Sequence, residues 1–412
     1  MGNGKSQSAI SYMNEHSDQK FIYITPYLDE AARIKASCPA LNFVEPQHTR
    51  RYGFSKLTHT HALIEHGENI TTTHQAFKNY SEATLNAIRE HQYTLIIDEN
   101  VDVLEVCDIH EDDIRIAVEA GYVKFEDSRY ELIRDDYNGD AFREMFWFMR
   151  SRQIMRIDTE EGGQKCSLYY WALPPDLITS FKDVIVLTYL FEGQSLHSFF
   201  KMYDLPYESI GIKRTPGGGY SFSKDELYTP DYVQHIRDMV KIVDQPRLNS
   251  VGDDYTALSK NWFGTHAEEA VPQLKKNIDN LFKNIWKDSE AEERMWATYK
   301  TQKDSLKGKG YTNGFVVLNL KATNEYRNKR YLVYACNLFM NVNEKMFYTK
   351  NGITVDEDKY ALSIMVQWIW RSAIRDGEEI YIYLPSSRMR KILNDWMDSL
   401  TEGGSADGVQ AL

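Results

Sequence analysis

Residues 94–100 read Thr94-Leu95-Ile96-Ile97-Asp98-Glu99-Asn100. Four strand-forming residues run straight into two adjacent carboxylates. A short apolar run of this kind predicts a strand buried on both faces, as in a parallel sheet. In open α/β sheets ligands bind at the carboxyl ends of the strands, which is where Asp98 and Glu99 are expected to lie. Successive strand residues point to opposite faces, but the chain turns at a strand end, so both carboxylates can face one crevice. One can hold a Mg²⁺ ion while the other polarises water, the division of labour that phosphoryl transfer needs. The same residues also suit an ordinary strand-to-loop junction with solvated acids, so the rest of the chain has to decide.

The chain has 412 residues, too many for one hydrophobic core, and two domains are expected. It is 42% hydrophobic and 26% charged, a globular composition. No run is long enough to span a bilayer and none has the pattern of a secretory signal. The four cysteines, Cys38, Cys107, Cys166 and Cys336, form no C-x-x-C pair. That speaks against a zinc site or a disulfide framework and fits a reducing cytoplasm. With a net charge of −12, any nucleic-acid binding must rely on local basic patches.

Gly4-Lys5-Ser6 opens a segment, Gln7 to Glu15, that can continue as a helix. In such a loop the glycine lets backbone N–H groups approach phosphates, the lysine reaches the outer phosphates and the serine hydroxyl ligates Mg²⁺. As a tripeptide it is a weak signal; its weight comes from Asp98-Glu99 at the expected separation. Phe21–Ile24 predicts a strand, followed by Thr25-Pro26-Tyr27 and an amphipathic helix over Leu28–Lys35. A threonine and a helix N-terminus at a sheet's carboxyl edge suit a backbone phosphate, although Pro26 equally suits a plain first helical turn. Residues 46–61 read as a locally basic, polar loop. Asn69–His74 predicts a short strand ending in Thr73-His74, and Gln75–His91 a helix. Strand and helix alternate up to Asp98, so the fold class expected is α/β with a mainly parallel sheet.

Between Glu99 and Leu187 lies a long excursion with helical patterns at Glu111–Ala120 and Ala141–Arg152 and a hairpin-like stretch at Gly121–Ile133. It reads as an insertion. Asp183–Tyr189 returns as a buried strand ending in Thr188. Beyond it, strands are expected within 207–222 around Gly217–Gly219, helices at Tyr232–Val243 and Glu268–Lys287, a polar linker at Lys300–Gly314 and a strong strand at Gly314–Leu320. Lys321-Ala322-Thr323-Asn324 and the basic run Arg327–Arg330 follow. The spacing then predicts a helix over Lys359–Asp376, a strand at Ile380–Leu384, a basic helix at Ser386–Leu400 and a disordered tail at Thr401–Leu412. On the Lys359–Asp376 helix, Gln367, Arg371 and Arg375 fall at i, i+4 and i+8, one polar stripe. Arginines held rigidly near a domain interface can act on a γ-phosphate; a salt-bridged helix face would carry the same pattern.

Taken in order, G-K-S, T-P-Y, T-T-H, D-E-N, L-T-Y, A-T-N and Q-x-x-x-R-x-x-x-R resemble a superfamily 2 helicase. The resemblance is to the DEAD/DEAH-type ATP-dependent helicases of phages and prophages and covers nearly the whole chain. It implies two RecA-like domains, parallel sheets flanked by helices with helical insertions. The first would span 1–190 with an insertion at about 105–175, the second 191–400, and the tail 401–412. It implies ATP and Mg²⁺ in the cleft and a nucleic-acid strand across both domains. On that pattern Gly2, Gly4, Lys5 and Ser6 bind nucleotide, and Ser6 and Asp98 hold the metal. Glu99, Asp98, Gln367, Arg371 and Arg375 carry catalysis. Thr25, Pro26, Thr73, His74, Thr323 and Asn324 contact nucleic acid, and Leu187-Thr188-Tyr189 is a coupling segment.

The chain departs from the pattern at three places. The first half of the phosphate loop and the strand before it are missing. The natural polypeptide is therefore expected to extend upstream, residues 1–412 to turn over ATP weakly, and the neighbours of the missing strand to be left unpaired. In the finger motif Trp370 replaces a glycine and the second arginine comes one residue late. Region 190–310 carries no motif of the family. Two other functions fit parts of the chain: a packaging-type P-loop motor and a non-catalytic relic that binds nucleic acid or a partner. The partners expected are single-stranded or duplex nucleic acid, DNA in the first instance, and phage replication proteins, with no membrane.

Overall fold

Strands Phe21–Thr25 (β1), Ile70–Thr73 (β2) and Thr94–Asp98 (β3) are rich in β-branched and aromatic residues and run parallel, in the spatial order β3-β1-β2. They belong to a computed structural model that describes residues 4–26, 28–126, 128–134, 136–149, 154–161, 164–224, 230–319, 325–401 and 409–411. Asp183–Leu187 adds a fourth parallel strand beside β3. Both faces of this sheet are covered, which is why β3 is apolar at its three central positions, Leu95–Ile97. Leu95 and Ile97 join one core with Ile22, Ile24, Val184 and Val186. Ile96 points the other way, toward Tyr23, Ile185 and the buried face of the helix Lys5–Glu15 (α1).

The seven-stranded sheet continues past Asp183–Leu187 with elements from beyond the boundary expected at residue 190. The hairpin Glu208–Arg214/Tyr220–Ser223 forms its far edge. Val409–Ala411, within the tail expected to be disordered, is a strand pairing antiparallel with Asp183–Leu187 on one side and with Glu208–Arg214 on the other. The Asp183–Leu187 strand is therefore paired on both sides, with β3 and with Val409–Ala411.

The second domain has a four-stranded parallel sheet, in the spatial order Val240–Ile242, Ile380–Tyr383, Tyr331–Tyr334, Arg294–Ala297. The strong strand expected at Gly314–Leu320 does not form. Phe315 makes one parallel bridge to Trp296, and Val316 donates to the Trp296 carbonyl at 2.9 Å. The edge is taken instead by Arg294–Ala297, whose Trp296 is fully buried. Residues 56–65, partly read as loop, form a helix capped by Ser55.

The excursion carries the two expected helical segments, Glu111–Glu119 and Arg143–Met149, and the hairpin Val123–Glu126/Arg129–Leu132. The hairpin supplies two strands of a five-stranded antiparallel sheet, whose other three strands have no signal in the local pattern. One side of it reaches the second domain: Tyr170 and Ala172 pack with Met340, Phe347 and Tyr348, and the Tyr170 hydroxyl donates to the Asn343 carbonyl at 3.0 Å. Among the described residues no helix is long and apolar enough to cross a membrane.

Candidate active site

The carboxyl edge of the first sheet is built by register. Thr25 stands opposite Thr73, and Asp98 opposite Leu187. Onto this edge α1 brings its N-terminus. Gly4, its N-cap, has φ 80° and no side chain caps the helix. A Cβ at Gly4 would lie 2.4 Å from the ring of Tyr220, so only glycine fits under that ring. The first N–H groups of α1 are thus free of a side-chain cap, a setting that favours anions.

Lys5, directly after, is half-buried. Desolvation lowers its pKa most; Asp98 and Glu99 raise it, and Arg371 and Arg375 lower it further. Four charged groups from two distant stretches of chain are therefore within electrostatic reach of Lys5. The Lys5 Nζ also lies 5.8 Å from the centroid of the Tyr189 ring.

Asp98 ends β3 half-buried. Burial pushes its carboxyl up to about 7, helped by Glu30 and Glu99 and opposed by Tyr23 and Lys5. The Tyr23 hydroxyl is itself buried and makes no hydrogen bond of standard geometry. The linkage has a definite sign. Between the ordinary value of 3.8 and about 7 the folded chain keeps the proton that the unfolded chain has lost. Stability therefore falls as pH rises through that window and levels off above it. Asp98→Asn is expected to melt higher than the wild type at about pH 8, by the equivalent of roughly 1–3 kcal/mol, with the gain gone near pH 4. Melting curves across pH check this; equal melting at both ends of the range would mean that Asp98 ionises freely.

Glu99 takes up φ 64°, a left-handed turn that is uncommon for a residue with a Cβ, and its N–H reaches the Leu187 carbonyl at 3.4 Å. Its carboxylate meets Arg371 of the second domain, Nη2 to Oε1 at 3.3 Å. Arg371 is 5% exposed, and its Nε is buried with no hydrogen-bond partner. A buried donor without an acceptor is costly unless a ligand completes it.

The helix expected over Lys359–Asp376 stops at Ile369, so Gln367, Arg371 and Arg375 do not form one stripe. Gln367 sits half-buried in its last turn, Arg371 follows the C-cap Trp370, and Arg375 is exposed on the short turn Ala373–Asp376. The physical reason lies in Trp368-Ile369-Trp370, all buried. Ending the helix lets Trp370 swing against Trp396, ring centroids 5.7 Å apart. Partial desolvation lowers the Arg375 pKa, followed by the charges of Arg371 and Arg327.

Thr25 is buried and Pro26 half-buried at the end of β1. Thr73 caps the short helix His74–Phe77, accepting from the Ala76 N–H at 3.3 Å. His74 is buried with its Nε2 2.9 Å from the Asp98 carbonyl oxygen, donating in the tautomer protonated there. Both residues thus hold the edge together. Gly2, Thr323 and Asn324 lie outside the described residues. The basic stretches of the second domain are largely engaged. Arg388 binds Asp358 at 2.9 Å, Asn337 at 2.8 Å and the Leu338 carbonyl at 2.7 Å. Arg390 donates to the Leu384 and Pro385 carbonyls, and Arg327 pairs with Asp376.

The segment after Thr188 joins the two domains. Thr188 accepts from Gln194 Nε2 at 2.6 Å, and the same amide nitrogen reaches the Tyr189 carbonyl at 2.9 Å. Tyr189 and Leu190 belong to the second domain's core, and Tyr189 packs edge-on against Trp396. Glu192 pairs with Lys359, and a Cβ on Gly193 would lie 2.2 Å from the Lys359 carbonyl oxygen. The Thr188–Gly193 segment therefore presses on the helix that leads to Arg371. Gln194 and Tyr220 were not legible beforehand, because neither sits in a local pattern. Among the described residues no group of three or more His, Cys, Asp or Glu gathers to hold a metal. A cation here would rest on Asp98, Ser6 and the oxygens of its own ligand, the usual way Mg²⁺ is bound beside phosphates.

Three kinds of relative were found. A family profile described as the YonV C-terminal Rossmann-like domain matches residues 234–397. The SPbeta prophage-derived uncharacterized protein YonV of Bacillus subtilis (strain 168) is 37% identical over 409 residues, 97% of each chain. Among solved structures, Xpd4 of S. tokodaii is 14% identical with a TM-score of 0.47, over 96% of this chain and 92% of that one. A structure titled XPD_Helicase is 8% identical with a TM-score of 0.30, over 97% of this chain and 82% of that one.

Proposed function

The chain belongs to the YonV family, and from that premise we propose that it is an ATP-dependent nucleic-acid helicase or translocase that hydrolyses ATP between its two domains. The observation that carries this reading is the contact of Glu99 on the first sheet's carboxyl edge with the buried Arg371 of the second domain, beside Lys5 and Asp98. Bound ATP–Mg²⁺ would supply the phosphoanhydride to be cleaved. The N–H groups at the start of α1 and Lys5 hold the phosphates, with Gly4 allowing the close approach and Gly2 assigned to the same loop. Ser6 and Asp98 would hold the metal, which requires Asp98 to be ionised. Glu99 orients the attacking water. Arg371 offers a guanidinium to the charge that develops on the γ-phosphate, with Arg375 and Gln367 beside it. Of the residues assigned to the nucleic-acid strand, Thr25, Thr73 and His74 act by shaping the edge of the first sheet rather than by open contact, Pro26 is half-buried beside them, and Thr323 and Asn324 are assigned to the strand from the sequence pattern alone. The Thr188–Gly193 segment passes nucleotide-dependent closure to the second domain. By extension from the relative's prophage origin, the partners are DNA and phage replication proteins.

Turnover of ATP by the full chain, with and without single-stranded DNA, is the test. Stimulation by DNA is expected; binding of DNA with no turnover would instead identify a non-catalytic binding protein. Affinity for single strands is expected to be indifferent to sequence and to fall roughly tenfold or more between about 50 and 200 mM salt, since phosphate contacts release counterions. Titrations on homopolymers and mixed sequences at several salt concentrations check this, and a salt-independent or strongly sequence-dependent constant would contradict it.

A further inference from the structure

Outside the cleft, the loop before the helix Lys56–Glu65 does something a folded chain normally avoids. Gly53 and Phe54 both adopt left-handed backbone, φ 62° and 58°. For glycine this costs nothing; for a bulky aromatic it is an outlier, of a kind that concentrates at functional sites. The strain is not spent on burial, because Phe54 is 64% exposed, more than any other aromatic among the described residues. The conformation is actively held. The Phe54 N–H donates to the Thr49 carbonyl at 2.8 Å, and His48 Nδ1 lies 2.7 Å from the Phe54 carbonyl oxygen.

Two exposed cations precede Phe54 in the same loop. Arg50 and Arg51 are exposed, and among the described residues neither has an ion-pair partner. Arg51 lies over Tyr52, 5.5 Å from its centroid, and Tyr52 in turn stacks on His59 at 4.4 Å. In a chain of net charge −12 such a cluster is a local reversal of sign.

Topology fixes where the loop faces. Val44 bridges Ile70 in parallel, donating to the Asn69 carbonyl at 2.8 Å and accepting from the Thr71 N–H at 3.1 Å. The chain at Val44 thus runs in the same direction as β2. Residues 45–54 therefore leave from the carboxyl edge of the sheet, the edge that carries Thr25, Thr73 and Asp98. From β3 across β1 and β2 to Val44 is three strand spacings, about 14 Å.

We propose that Phe54, with Arg50 and Arg51, is a stacking contact for single-stranded nucleic acid, the ring taking a base face and the guanidiniums the adjoining phosphates. This rests on the reading above that the protein tracks a nucleic-acid strand, and adds a contact outside its nucleotide cleft. An aromatic face bordered by arginines is the combination that binds single strands without regard to sequence.

The test is binding of a labelled oligodeoxythymidylate to the full chain by fluorescence anisotropy over a range of salt. Phe54→Ala is expected to weaken binding roughly tenfold, with Phe54→Tyr close to the wild type. Arg50→Ala and Arg51→Ala are each expected to make the dependence of log affinity on log salt shallower by about 0.7. Phe54→Gly keeps the backbone readout separate: relief of strain should raise the melting temperature while affinity still falls. ATP turnover without DNA should be unchanged in all of these variants. Wild-type affinity in Phe54→Ala and Phe54→Gly, with the wild type binding well, overturns this contact and leaves the proposed function standing. No binding by the wild type overturns both.

Discussion

Glu99→Gln is expected to lower ATP turnover by roughly a hundredfold or more while leaving ATP affinity within a few-fold of the wild type. The carboxylate is the group assigned to orient and polarise the attacking water, and an amide of the same shape cannot accept the proton. The substitution is gentle structurally. The amide oxygen can still accept from Arg371 Nη2, which now sits 3.3 Å from Glu99 Oε1, so Arg371 is not left as an unpaired buried charge. The left-handed turn at residue 99 is retained, because glutamine tolerates it no worse than glutamate. Steady-state turnover with a separate nucleotide-binding measurement decides the matter. A variant that turns over ATP like the wild type would remove Glu99 from the chemistry. Loss of both turnover and binding would mean that the Glu99–Arg371 pair is needed to shape the cleft.

Arg371→Ala is expected to cost kcat about three orders of magnitude and ATP affinity far less, since a guanidinium that meets developing charge acts in the transition state. Its side chain is 6% exposed against 30% for that of Glu99, so the two ends of this pair are not equivalent. Removing the arginine leaves a carboxylate that water can reach; the unpaired buried Nε disappears with it. Stability should therefore fall only modestly. A melting temperature that drops as far as turnover does would show instead that Arg371 is a structural tie between domains. Arg371→Lys is not a safe control, because a point charge cannot reproduce the fork. Combining Arg371→Ala with Glu99→Gln distinguishes the roles further: effects on turnover that fail to add would mean that the two groups act on the same step.

The reading of β3 needed nothing beyond the sequence. An uninterrupted apolar run followed by two acids is dictated by a strand buried on both faces and ending in a crevice, and Leu95, Ile96 and Ile97 divide between two cores in that way. The alternation of strands and helices up to Asp98 and the helix after Gly4 were legible for the same reason, because each is set by contacts within a few residues. What the sequence left open depends on partners far along the chain. The helix with Gln367 ends at Ile369 because Trp370 packs on Trp396, and that contact turns Arg371 toward Glu99. Gly314–Leu320 has strand-forming residues but no ladder to join, while Arg294–Ala297, with an arginine at its start, takes the sheet edge. Val409-Gln410-Ala411 is too short to give a strand signal of its own, and pairs as a strand because Asp183–Leu187 and Glu208–Arg214 offer backbone partners on either side. Thr73 and His74 likewise look outward in sequence and turn inward in the fold, one to cap a helix and one to hold the Asp98 carbonyl. Local propensity and periodicity thus decided the elements and the acids at the edge of the first sheet; long-range packing and backbone pairing decided which side chains meet there.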